Sequence, residues 1–371
     1  MQTPDAEAFL AGLNEWVAIE SKTDEPASIG AMMSRAMAEF RAAGLHVTEV
    51  PGTDGFGPHF HAVSPWGEGP GLLILCHLDT VHPTGGLVRN PIRVEGDHAY
   101  GPGIYDMKGG VYIALTAIRT LIEAGRQTPL PVRFLVVSDE EVGSPTSQAH
   151  IVTAAENAAY VLVTEPARDG GCCVTGRKGV ARMKIAAHGR PAHSGAQHQN
   201  GISAIREIAR QVERLEAMTD YERGVTVNIG LIGGGSGANV VPEHAWAEID
   251  IRMLTPADGE TVVREVRALE PVNPGVSLEV TGGMNRPPYQ KTNSVAALYD
   301  HARGLAAEIG FELGDTFTGG GSDGNFTASI APTLDGLGVD GAGAHTSEEH
   351  IYVSSLVPRM LLLRRLMETL R

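Results

Sequence analysis

The chain has 371 residues, too long for one ordinary domain, and its length predicts two. Hydrophobic residues make up 42% and charged residues 20%, which supports a sizeable core and excludes wholesale disorder. The formal net charge of −15 argues against a nucleic-acid or anionic-membrane partner, both of which select basic faces. An acidic substrate stays open, because a few local arginines can outweigh a global charge.

The stretches "AEAFLAGLNEWVAI" and "SIGAMMSRAMAEFRAAG" carry helical spacing, and the second ends on Gly44 as a C-terminal cap. Next come the strand "GLLILCH", the helical "MKGGVYIALTAIRTLIEAG", the strand "PVRFLVVS", a helix near 147–157 and the strand "YVLVTE". Apolar strands separated by helices predict an α/β fold with a mostly parallel sheet sandwiched by helices. The pattern changes near residue 177. "GVARMKIAAHG" alternates like a half-buried strand, and "ISAIREIARQVERLEAM" is amphipathic. The strands "VTVNIGLIGG" and "EHAWAEIDIRML", the helix "ADGETVVREVRAL" and the strand "VSLEVTG" follow. This β-α-β-β-α-β order predicts a ferredoxin-like α+β unit with an antiparallel sheet. Long helices and short strands return from about 289. The expected organisation is a discontinuous domain, 1–176 and 288–371, with 177–287 inserted into it.

The segment "MQTPDAEAFLAGLNEWVAIES" lacks a basic n-region and a continuous apolar core, so no signal peptide is expected. No apolar run approaches the roughly 20 residues that cross a bilayer. Cys76, Cys172 and Cys173 are odd in number and two are adjacent, which is no disulfide framework. A cytoplasmic location is the expectation. Cys76, beside His77, reads as a small buried hydrophobe.

Acidic and imidazole residues recur where predicted strands end: His77 and Asp79 after "LLILC", Asp106 in "GPGIYDMKGG", Asp139, Glu140 and Glu141 after "FLVVS", and Glu165 after "YVLVT". Open parallel sheets bind ligands outside the carboxyl ends of their strands. Carboxylates mixed with imidazoles suit zinc or a neighbouring transition metal. His77 and Asp79 are two apart and face the same way on an extended strand. Either both are ligands, or one imidazole binds and the carboxylate behind it sets its tautomer. The adjacent Glu140 and Glu141 suggest that one binds metal while the other acts as general base.

The motifs "CHLDTV", "GPGIYDMKGG", "SDEEVGS", "TEPA", "GRPAHSG", "TGGGSDGNF" and "GAHTSEEHIYV" occur in the order seen in the co-catalytic zinc peptidases and deacylases. The chain resembles that family over nearly its whole length. The family includes glutamate carboxypeptidase, acetylornithine deacetylase, succinyl-diaminopimelate desuccinylase and the aminoacylases. "TGGGSDGNF" and "NRPPY" make the chain most similar to the glutamate-carboxypeptidase branch.

The resemblance implies two zinc ions per subunit, with cobalt or manganese as substitutes. Asp106 would bridge them, His77 and Glu165 would complete one site, and Glu141 and His345 the other. Glu140 would be the general base for a water that attacks the amide carbonyl, and Asp79 would orient His77. The peptide bond after Asp106 would be cis. The inserted segment would form a homodimer, and its His193 would reach the partner subunit's active site. Asn239 and Arg252 would hold the substrate, Arg252 by its carboxylate, with Arg286 as a second contact. The loop Gly319–Gly321, with Gly320 at its centre, would line the substrate site.

His82, His188, His198 and His350 read as bystanders, and Glu348 or Glu349 as a support for His345. "GGGSDG", residues 319–324, matches the dinucleotide fingerprint formally but lies outside a βαβ unit. No Gly-x-Ser-x-Gly elbow is present. The expected function is a di-zinc, carboxypeptidase-like hydrolase of small peptides or N-acyl amino acids that bear a free carboxylate. The alternatives are a deacylase of the acetylornithine or succinyl-diaminopimelate type, and a non-catalytic metal-dependent binding protein.

Overall fold

The computed structural model describes residues 5–371, so the first four residues of the segment read for a leader lie outside the described residues. Two compact units emerge. One comprises the chain up to Gly176 with Gln290–Thr318 and Ser322–Arg371; the other comprises Arg177–Tyr289 with Gly319–Gly321. Residues 288–289 and 319–321, expected with the first unit, therefore cluster with the second.

The first unit is built on a six-stranded sheet in the order His46–Val50, His59–Val63, Val132–Val137, Gly71–His77, Ala158–Val163, Thr333–Leu334. The last four strands are mutually parallel, while His59–Val63 runs antiparallel to both of its neighbours, His46–Val50 and Val132–Val137. The sheet is largely parallel, as expected, with an antiparallel margin that apolar runs did not reveal. Every residue of the 71–77 strand is buried. Leu72, Ile74 and Cys76 pack with Phe60, Phe134 and Ile113 on one face. Leu73 and Leu75 pack with Leu135, Ile151 and Val163 on the other. Two covered faces are why the run is continuously apolar rather than alternating. Cys76 is 2% exposed, and burial pushes its thiol up to about 12, in keeping with a core role.

The helix expected from Met107 starts at Gly109 instead (Gly109–Glu123), after an irregular turn over Ile104–Lys108 that contains a cis Asp106–Met107 bond. A Cβ on Gly110 would lie 2.0 Å from the Thr164 carbonyl oxygen. Only glycine lets this helix begin against the chain that leads into Glu165. A second, small antiparallel sheet joins Arg93–Glu95, His98–Tyr100, His350–Tyr352 and Gly341–Ala342. Its hairpin between the last two strands carries His345.

The second unit has four strands in the order Thr226–Gly234, His244–Met253, Gly179–His188, Ser277–Arg286, all neighbours antiparallel. Helices Ala204–Glu216 and Pro256–Arg267 interrupt them in chain order, which is the ferredoxin-like arrangement. Ala181, Met183, Ile185 and Ala187 face the helices, and Arg182 and Lys184 between them are exposed. That is the alternation read from the sequence. Among the described residues no helix is long and apolar enough to cross a membrane.

Candidate metal centre

The carboxyl ends of the parallel strands converge. His77 ends its strand and is 1% exposed. Its Nδ1 lies 3.0 Å from the Asp79 carbonyl oxygen and 3.4 Å from Asp79 Oδ1. Its Nε2 stands 3.3 Å from Asp106 Oδ1 and 3.5 Å from Glu165 Oε1. Asp106 Oδ2 in turn lies 3.4 Å from His345 Nε2, which is 3.2 Å from Glu141 Oε2. One carboxylate thus spans two clusters. Oxygens of Glu140 and Glu165 and a nitrogen of His77 fall within 4.8 Å of one another, as do donors of His77, Asp106 and Glu141.

Glu140 and Glu141 sit on a single helical turn, Glu140–Val142, which Gly143 closes in the left-handed region at φ 101°. The turn is fastened from two sides. Asp79, fully buried, accepts from the backbone N–H groups of Glu140 and Glu141 at 3.2 Å each and from Thr23 Oγ1 at 2.8 Å. Of the two readings left open for Asp79, its geometry favours a carboxylate behind His77, occupied by three donors. Asp139 differs from its neighbours. It accepts from the backbone and hydroxyl of both Thr146 and Ser147, and so anchors the loop outside the cluster.

Charges at this spacing perturb one another. Burial pushes Glu141 up to about 7, against the pull of His345. Burial also pushes Asp106 up, but hydrogen bonding from His345 and His77 wins and holds it well below the usual carboxylate range. Asp106 and then Glu141 raise His345 to about 11. Burial lowers His77, yet the facing Asp106, Asp79 and Glu165 carboxylates lift it well above its ordinary value.

Metal ions fit this donor set. His77 Nε2 and Glu141 Oε1 are buried and make no hydrogen bond. Buried polar atoms seldom stay unpaired without a reason. Donors placed tetrahedrally at roughly 2.0–2.2 Å from zinc stand about 3.3–3.6 Å apart, close to the separations found here.

The remaining expected residues lie in the second unit. His193, exposed in the short strand Ala192–His193, accepts at Nδ1 from the backbone N–H groups of Gly195 and Ala196 at 3.1 and 3.2 Å. That fixes the tautomer with its proton on Nε2. Asn239 is exposed, and its carbonyl oxygen accepts from Ser194 N–H at 2.9 Å, which joins its loop to that of His193. Arg252 is held side-on by Asp250, Nε to Oδ1 at 2.6 Å and NH2 to Oδ2 at 2.9 Å, and its NH1 lies 3.4 Å from the Gly319 carbonyl oxygen. Arg286 is buried, and its side chain packs beside Gly321. Gly320 accepts from Arg177 NH1 at 3.2 Å.

Arg177, fully buried, is a participant that sequence reasoning missed. So are Thr23 and the part that His82 plays. His82, read as a bystander, is hydrogen-bonded to Glu349. Glu349, considered as a support for His345, instead accepts from the loop that carries Asp106. No motif marked Arg177, Thr23 or His82, and the partner of His82 lies 267 positions away.

Residues 73–369 match the family model described as Peptidase family M20/M25/M40. The chain is 31% identical to Carboxypeptidase G2 of Pseudomonas sp. (strain RS-16) over 365 residues, covering 97% of this chain and 88% of that protein. It is 27% identical to the succinyl-diaminopimelate desuccinylase of Paracidovorax citrulli (strain AAC00-1), covering 81% and 80%. Among solved structures, an M20 family metallo-carboxypeptidase from Sulfolobus solfataricus shares the fold, with a TM-score of 0.77 at 16% identity over 97% of this chain and 98% of that one. The acidic cluster thus lies in a fold and a sequence that agree, and the chain belongs to peptidase family M20/M25/M40, as a hydrolase acting on amide or peptide bonds.

Proposed function

We propose that this hydrolase uses two metal ions to cleave the amide bond of a small peptide or N-acyl amino acid that bears a free carboxylate. The observation that carries the reading is the Asp106 carboxylate, which faces His77 with one oxygen and His345 with the other, beside the unpaired His77 Nε2. His77, Asp106 and Glu165 would hold one ion, and Asp106, Glu141 and His345 the other. Zinc ions there, or cobalt or manganese in their stead, would polarise the scissile carbonyl and ease deprotonation of a water.

Glu140 takes the proton from the attacking water and returns it to the nitrogen as the C–N bond breaks. Its place beside His77 and Glu165, on a turn tied to Asp79, supports that role. His193 of the partner subunit donates from Nε2 to the developing oxyanion. Arg252 receives the substrate carboxylate. Asp250 engages Nε and one hydrogen of NH2, and Gly319 accepts one from NH1, so that NH1 and NH2 each keep one hydrogen for a planar anion.

The dimer would form through the second unit. Its 226–234 strand lies at a sheet edge and exposes Leu231 and Ile232, at 57% and 59%. Open apolar edges ordinarily find a partner. A domain division that keeps 177–287 as the dimerising insert goes with this reading.

Glu140→Ala should keep both ions and lose hydrolysis by about 10²–10⁴-fold, the usual share of a general base. Wild-type rates with both ions bound would sink the mechanism. The desuccinylase relatives favour a second reading, removal of an acyl group from an amino acid. A panel of N-acyl glutamates, N-acyl ornithines, N-succinyl substrates and dipeptides separates the two. Hydrolysis of none of them with fewer than one ion bound per chain would leave only a binding protein.

A further inference from the structure

Glu349 lies four residues past His345 and is fully buried, and its carboxylate is turned to backbone donors and to His82. Its Oε1 accepts from the backbone N–H groups of Tyr105 and Asp106 at 2.9 and 3.0 Å. Its Oε2 accepts from Gly103 N–H at 2.9 Å and from His82 Nε2. Its carbonyl oxygen accepts from Gly101 N–H at 3.2 Å, and the next residue, His350, pairs with Tyr100 in the small sheet. Four donors offset the cost of burying this carboxylate. Three of them belong to the turn that presents Asp106.

The centre is not held evenly. His77 ends a strand and Glu165 follows one, so both inherit the rigidity of the parallel ladder. Asp106 lies in an irregular turn at φ −117° and ψ 96°, and His345 in a hairpin at φ 65°. Neither has a ladder of its own. What fastens one to the other is Glu349, which comes from the His345 hairpin and grips the Asp106 turn by its N–H groups. Any slack there would act first on the separation of Asp106 from His345 and Glu141.

We propose that Glu349, steadied by His82, is a positioning residue that sets the span between Asp106 and His345 and thereby governs binding of the ion on the His345 side. The inference rests on the two-ion reading above. Glu349→Gln keeps the shape but turns an amide N–H₂ toward backbone donors. Partners behind metal ligands are ordinarily worth about 10–100-fold in affinity.

The test is a titration of metal-free wild type and variants with cobalt or zinc, counting ions per chain and following the cobalt absorption bands. Wild type should take two ions. Glu349→Gln should bind one ion within about threefold of wild type and the other at least tenfold more weakly, with altered cobalt bands, as expected of a metal-ligand partner. Its kcat should fall more than its KM changes. His82→Ala should move the weaker ion in the same direction by less, and His82→Gln, which keeps a donor, should restore it. Two ions bound by Glu349→Gln at wild-type affinity, or equal weakening of both, overturns the proposal. Should Glu349→Gln fail to fold, the His82 pair decides, and an unchanged second ion in His82→Ala overturns it. A wild type that takes one ion defeats the two-ion reading itself and this inference with it.

Discussion

At the ends of the parallel strands His77 and Glu165 are 1% and 4% exposed, whereas on the antiparallel sheet the Arg252 side chain is 28% exposed. The first region gathers anions and imidazoles and buries most of them, with Asp79 held by two backbone N–H groups and Thr23 and standing in turn behind His77, while His345 stays half exposed. The second offers a guanidinium beside a glycine loop, paired to one acid and open on one edge. Burial and cross-bracing give a geometry that tolerates little change. Partial exposure leaves a surface that can be retuned by one or two side chains. Under the proposed function, bond-breaking chemistry falls to the first region and choice of substrate to the second.

The sharpest way to break the comparison is to set a loss in each region side by side. Beside the near-total loss expected of Glu140→Ala, Arg252→Lys should leave ion content intact. It should lower kcat/KM by roughly ten- to hundredfold, or about 1.4–2.7 kcal/mol. The effect should lie mostly in KM and vanish for substrates that lack the carboxylate, because lysine cannot offer a planar fork. Arg252→Lys acting equally on neutral substrates would remove the arginine from substrate selection.

Next comes the route between subunits. Leu231→Glu combined with Ile232→Glu should halve the mass in solution and take activity down to that of His193→Ala. Mixed His193→Ala and Glu140→Ala chains should regain partial activity when subunits exchange. A fully active monomer would show that His193 acts within its own chain or not at all.

The smallest effect tests the margin of the first sheet. His59 is buried, accepts from Ser138 N–H at Nδ1 (3.2 Å) and contacts Thr146 Oγ1 through Nε2 (3.0 Å), so it is held neutral. Burial lowers its pKa below 6.5, the nearby His150 lowers it further, and Asp139 opposes the shift. Below 6.5 the unfolded chain binds the proton more readily than the folded one. His59 therefore costs no stability above that pH and costs progressively more as pH falls toward its folded value. The slope limit is about 1.4 kcal/mol per pH unit for one proton. Denaturation midpoints at pH 7.5 and pH 5 should spread further in wild type than in His59→Gln. Equal spreads would mean that His59 takes no part in the acid sensitivity.

Much of the first sheet was legible because a strand buried on both faces must be apolar throughout, and "LLILC", "FLVV" and "YVLV" are. The titratable residues after those runs were conspicuous for the same reason. The 46–50 and 59–63 strands were not legible, since their exposure is mixed and their pairing depends on a neighbour far along the chain. The two- and three-residue strands that carry His345 have no period to read. Their existence depends on Arg93–Glu95 and His98–Tyr100 being brought beside them.

The sequence by itself determined the long apolar strands, the amphipathic helices and which residues could bind a metal, because hydrophobic period and ligand chemistry are local properties. Only the tertiary structure decided how Asp79, Asp139 and Glu141 divide their work. Asp79 is taken up by Thr23 and two backbone N–H groups, Asp139 by Thr146 and Ser147, and Glu141 turns one oxygen to His345 and is left with the other unpaired. A carboxylate's role is set by the donors that reach it, and folding brings those donors from distant parts of the chain.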